Sequence, residues 1–187
     1  MKIMKDNKKG FTLVELLAVI VILALIMSIA FVSMGNVMRS AQNSTFKENA
    51  IAMIDGVKQR LVMKGRLEAG QYFFNSSILE KGGVTSPRGG DFQFVTKPGT
   101  NSKTKLQSTG TAQTVVTIEE GLYKYSGSAI PCSNTTFSNV TVTLDNTGGS
   151  EIFTYRICLT AGAGNPFIDG SLREVKDEDN VNIIKES

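Results

Sequence analysis

The stretch that decides the fold is KKGFTLVELLAVIVILALIMSIAFVSMG, residues 8–35. Residues 16–27 contain no polar side chain, and over residues 11–34 only Thr12, Glu15, Ser28 and Ser33 interrupt the apolar run. Coiled as a helix, that run extends about 36 Å, enough to cross a hydrocarbon core of about 30 Å. The lysines before it, Lys2, Lys5, Lys8 and Lys9, keep its start on the cytoplasmic side. Glu15 is out of place there. An acidic residue costs about 2.5–3.5 kcal/mol at the middle of a membrane helix and less near an end, so it calls for a partner. A free α-amino group on Phe11 would lie on the same helical face, four residues away. The same amine on a neighbouring chain would also reach it and would fix an axial register between chains. Either pairing requires a cut between Gly10 and Phe11.

Those residues carry a resemblance. A short basic leader, Gly10, Phe11, the mostly apolar Thr12-Leu13-Val14, Glu15 and a long apolar helix from Leu16 resemble the processing signature of type IV prepilins and pseudopilins. The close resemblance covers about the first 35 residues. It implies that a membrane prepilin peptidase cuts after Gly10 and methylates Phe11 as the mature terminus. It implies too that Glu15 guides assembly by engaging the Phe11 amine of a neighbouring subunit. Two positions depart from the common pattern: Val32 stands where many members have proline, and Ala24 where many have glycine. Without proline at 32, the helix is expected to run straighter and without a melted segment.

Two other readings of the N-terminus compete with this one. Ser28-Ile29-Ala30 is a small-x-small site of the kind a conventional signal peptidase uses. An uncleaved membrane anchor is the second. Glu15 at the edge of the apolar core, and an amphipathic pattern that continues past Ala30, favour the prepilin reading over both.

Working outward, the pattern changes at Val37. Val37, Ala41, Phe46, Ala50, Met53, Ile54, Val57 and Leu61 recur largely at three- and four-residue spacings, with Arg39, Asn43, Lys47, Asp55 and Gln59 between them. The first proline is Pro87. One helix is expected from about Thr12 to Lys64, ending near Gly65. Residues 65–90 hold Gly65, Gly70, Gly82, Gly83, Pro87, Gly89 and Gly90 and read as a connector. Beyond it short strands are expected, the first where Phe92 and Phe94 alternate with polar neighbours. Residues 114–118 and 122–125 form one hairpin pattern around Gly121, and 137–144 and 152–160 form a second. Helix followed by strands predicts an α+β fold, with an antiparallel sheet packed on the amphipathic half of the helix. The expected organisation is a cleaved leader at 1–10, a membrane and filament-core helix at 11–36, and a head at 37–187. Within the head the expected parts are a helix at 37–64, a connector at 65–90 and a β-rich region at 91–187.

Composition narrows the function. The chain of 187 residues has no histidine and no tryptophan, so the commonest general base and a stacking surface for bases are both missing. The formal net charge of +3 is that of Lys2, Lys5, Lys8 and Lys9 against Asp6; the chain from Phe11 onward is balanced. Bulk charge therefore gives a nucleic-acid partner no support. Lys97, Lys103 and Lys105 read as a solvated loop before they read as a phosphate contact. Asp177, Glu178 and Asp179 lack EF-hand spacing and read as a frayed, solvated tail before a calcium site. Gly162-Ala163-Gly164 lacks the Lys-Ser/Thr end of a phosphate loop. Cys132 and Cys158 are the two cysteines. An exported chain allows them one disulfide, closing a loop of roughly 27 residues worth roughly 3–4 kcal/mol. Two buried thiols are the alternative.

The reading that results is a structural filament subunit, not an enzyme. It is held in the cytoplasmic membrane before assembly and lies outside it afterwards. Its partners would be the prepilin peptidase and methyltransferase, identical or related pilin subunits and the membrane assembly machinery, with no cofactor, metal or small-molecule substrate. A minor pilin, a type II secretion or competence pseudopilin, and a non-polymerising membrane-tethered binding protein are the alternatives.

Overall fold

The computed structural model describes residues 11–78, 85–98, 102–147 and 151–186, without the side chains of 32 and 33. Gly10 and the basic leader lie outside the described residues. Helix α1 runs from Leu13–Met63. Thr12 caps its start, and Gly65 ends it at φ +58°. There the Gly65 amide donates to the Val62 carbonyl at 3.0 Å and the Arg66 amide to the Leu61 carbonyl at 2.9 Å. This is a Schellman close, which needs a left-handed residue at that point. The helix expected from the sequence ends within a residue of this one. Backbone contacts divide the chain into two units, 1–41 and 42–187. In the first, the helix is apolar, long enough to cross a membrane, and exposed wherever its side chains are described.

In the second unit the rest of α1 packs on a sheet. Phe46, Ala50, Met53, Ile54, Val57 and Leu61 are fully buried along one stripe. The strands are β1 (Gly70–Phe74), β2 (Lys103–Thr104), β3 (Gln113–Glu119), β4 (Leu122–Tyr125), β5 (Asn139–Asp145), β6 (Ile152–Thr160), β7 (Phe167–Ser171) and β8 (Ile184–Lys185). They form one eight-stranded sheet in the order β2-β3-β4-β1-β5-β6-β7-β8, antiparallel throughout. A short helix, α2 (Leu172–Lys176), follows β7 and opens on a Ser171–Glu174 capping box. The α+β, pilin-like architecture expected from the sequence is the one observed.

Period-two alternation sorts the side chains. Tyr72, Phe74, Leu122, Val140, Val142, Ile157, Leu159 and Ile168 join the helical stripe in the main core. The opposite face carries a second core of Phe73, Val95, Leu106, Val115 and Tyr123, edged by Tyr125, Ile130 and Phe137. Irregular segments on either side of β2 and between β4 and β5 supply its cover. Strand β1 is therefore buried on both faces, and it sits centrally, inside the stretch that the sequence presents as a connector. Its Tyr72-Phe73-Phe74 run has no alternation to announce a strand. The strand expected at Phe92 and Phe94 is corrected. The segment forms no ladder, although the Gln93 amide donates to the Thr160 carbonyl at 2.8 Å and the Val95 amide to the Phe74 carbonyl at 3.2 Å. Phe92 stacks on Phe46 at 5.8 Å and Phe94 lies 5.9 Å from Phe74, so the two rings alternate with polar neighbours to pack, not to pair.

The second core is fastened covalently. Cys132 and Cys158 form a disulfide with Cα atoms 5.5 Å apart. The side-chain amide of Gln71 adds a strand-like pair to the same cover: it donates to the Ile130 carbonyl and accepts from the Ile130 amide, both at 2.9 Å.

Burial, with the Glu68 carboxylate nearby, pushes the Tyr72 phenol up to about 12, and its hydroxyl donates to the Glu68 carbonyl. The fold thus favours the neutral phenol. Its contribution is complete below the ordinary tyrosine value near 10 and is lost as pH rises toward the folded value. The head is expected to lose thermal stability between about pH 10 and 12, and Tyr72→Phe to flatten that limb. Melting curves of the two chains against pH check this, and identical alkaline limbs would refute it.

Candidate processing and assembly site

The helix start is built by Thr12 and Glu15. The Thr12 amide and hydroxyl both donate to Glu15 Oε2 at 2.9 Å, and the Glu15 amide donates to Thr12 Oγ1 at 3.3 Å. This reciprocal pairing is a capping box, which satisfies amide groups that a helix start otherwise leaves open. A carboxylate in the first turn also faces the positive end of the helix dipole. The cost of placing Glu15 in an apolar helix is therefore offset locally, before any second chain is considered. Among the described residues Glu15 Oε1 accepts no hydrogen bond. Phe11 precedes the helix and is 90% exposed.

The T-x-x-E pattern at Thr12–Glu15 is a capping signature that the sequence carries, and the reading of Glu15 as a membrane acid that calls for an amine leaves it out. The structure places Phe11, Thr12 and Glu15 within one turn. The other candidates belong to the second unit. Lys97 pairs with Glu120 at 3.5 Å, both exposed, and Lys103 lies in the short strand β2. Gly162 and Gly164 sit at positive φ in the turn between β6 and β7.

The C-terminal acids are corrected. Asp177 and Glu178 belong to no frayed tail, for their main-chain carbonyls accept hydrogen bonds from Lys47 Nζ at 2.7 and 2.9 Å. Lys47, read from the sequence as part of a polar face, is 6% exposed. Its position beside Phe46 on the buried side of the helix was the available signal. Among the described residues no group of acidic or cysteine side chains is arranged to hold a metal.

The family model for the prokaryotic N-terminal methylation motif matches residues 5–31. The chain thus carries the signature of type IV pilins and pseudopilins, a structural class of protein processed by prepilin peptidase. The match covers Gly10, Phe11, the capping box and most of the apolar helix, and leaves out the head. No curated protein and no solved structure matches the chain.

Proposed function

We propose that the chain is a structural subunit of a type IV pilus-like filament, stored in the cytoplasmic membrane and polymerised through its N-terminal helix. The observation that carries this reading is the methylation motif at residues 5–31, whose part from Leu13 onward lies on a helix that is apolar and exposed wherever its side chains are described in the first unit. In this reading prepilin peptidase cuts after Gly10, and Phe11 becomes the methylated terminus. Thr12 holds one Glu15 oxygen, and the other takes the Phe11 ammonium of the adjacent subunit. Capping and assembly contact then act together instead of competing. Lipid is already apolar, so helix packing and this ion pair drive assembly more than the hydrophobic effect does. The filament is extracellular or periplasmic, and major pilin, minor pilin and secretion pseudopilin are its possible stations.

The mass of the mature N-terminus tests the reading. A chain beginning at methylated Phe11 supports it. One beginning at Phe31 indicates a conventional signal peptide, and an unprocessed N-terminus a tethered protein. Gly10 passes its carbonyl through a site where a larger side chain clashes, so Gly10→Val is expected to leave at least nine-tenths of the chain as membrane-held precursor, roughly a tenfold loss of processing. Normal yield of chain starting at Phe11 from that variant would remove the processing assignment.

A further inference from the structure

Residues 172–186 fold back onto the first turns of helix α1 that belong to the head. Besides the pairing of β8 with β7, these contacts hold them. Val175 and Ile183 enter the main core at 1% and 4% exposure. Lys47 Nζ donates to the carbonyls of Asp177 and Glu178. Arg88 donates to Glu186 Oε1 at 2.8 Å and also to Asn43 Oδ1, joining the segment to the helix through a second cation. Asn43 and Lys47 stand one turn apart on α1, just past the division at 41/42.

A buried ammonium is an expensive way to fill space, since an apolar side chain of similar volume needs no hydrogen-bond partners. What Lys47 adds is direction. The hydrophobic effect is non-directional, whereas a charged donor fixed on two main-chain carbonyls adds a directional resistance to displacement along the helix axis. The carbonyls it takes lie at and just beyond the end of α2, where helical carbonyls lack intrahelical partners. Lys47 closes the segment and the helix onto each other in one contact.

We propose that the 172–186 segment is a strap, locked by Lys47 and Arg88, that passes axial pull from helix α1 into the sheet. Pull of this kind arises when the subunit is drawn from the membrane and when a filament is under tension, so the inference rests on the filament reading. The strap grips the helix where its membrane-length part ends. It therefore stops the helix from peeling off the sheet turn by turn from residue 42.

The test uses the full chain. In detergent micelles, Lys47→Met keeps the apolar stem and removes the donor. Amide exchange in 172–184 and in helix residues 43–53 is expected to rise at least tenfold, with β5 and β6 unchanged. Filaments of that variant are expected to fragment under shear that leaves unaltered filaments intact. Unchanged exchange at 43–53 would overturn the proposal, and so would faster exchange with filaments of undiminished shear resistance. If Lys47→Met does not fold, Glu186→Gln at the exposed end of the strap is expected to speed exchange in the same two segments by a smaller factor, and no change there would count against the strap. Failure of the unaltered chain to form or enter filaments would overturn the filament reading and the tension role with it. That outcome is read separately from the exchange data.

Discussion

Glu15→Val is expected to give a mature, methylated subunit that stays in the membrane and fails to enter filaments. On the proposed reading, cleavage depends on Gly10 and Phe11 and assembly on the carboxylate, so the two steps should separate. Removing a charge from an apolar helix leaves insertion unharmed or improved. The variant loses the capping box, worth about 1 kcal/mol at a helix start, a small effect beside the anchoring of the remaining helix. The larger loss is the partner for the neighbouring amine and the register it sets. Sheared-filament yield against membrane-retained protein is the measurement, with a fall of at least tenfold expected. A minor subunit would instead be excluded from filaments built by another pilin. Glu15→Asp, one methylene shorter, should give a partial defect because it strains both the Thr12 bonds and the intermolecular contact. Thr12→Val in the same assay separates the two roles: it removes the hydroxyl of the box and leaves the carboxylate. Normal incorporation of Glu15→Val would show that Glu15 has no assembly role and would strengthen the tethered-protein reading.

The second large effect belongs to the disulfide. Removing the Cys132–Cys158 bond opens a loop with a sequence separation of 26 and should destabilise the head by roughly 3–4 kcal/mol. For a domain of this size that corresponds to a melting temperature lower by about 10 °C. The damage should be local first. The cover over Phe73 and Tyr123 loses its covalent tie and keeps the Gln71–Ile130 pair, main-chain bonds such as Phe137 amide to Leu106 carbonyl, and its apolar contacts. The helix-side core makes no use of the bond. Calorimetry with and without reductant measures the shift, and thiol titration of the native chain checks the bond. Alkylation of both cysteines in native, unreduced protein would refute the assignment.

What could be read from the sequence was whatever is encoded within a few residues. The processing motif, the apolar helix, its amphipathic continuation and its end at Gly65 are all local patterns, and the two hairpins declare themselves through alternation and a turn. Strand β1 escaped because it has cover on both faces, so Tyr72-Phe73-Phe74 lacks the period-two signal, and glycines surround it. Strand β7 escaped for a different reason. Phe167–Ser171 contains Asp169 and Gly170, poor strand formers whose placement depends on Arg156 and Ile183. Lys47 escaped because its acceptors lie about 130 residues away. No local pattern marks a lysine whose partners are main-chain carbonyls from the far end of the chain. At the helix start the capping pattern was visible, and what only the geometry added was that both Thr12 bonds fall on one oxygen.

The strand order has a meaning for how this head tolerates change. β2, β3 and β4 form one chain-ordered ribbon and β5 to β8 form another, and β1 is the spine to which both are hung. A ribbon can lengthen at its outer edge, or alter its connecting turns, without disturbing the register of the other. The spine has no such latitude: it was synthesised before either ribbon, and each residue of Gln71–Phe73 is aligned with β4 on one side and β5 on the other. Diversification of the head's surface can therefore proceed independently along two wings, provided five residues in the middle stay as they are.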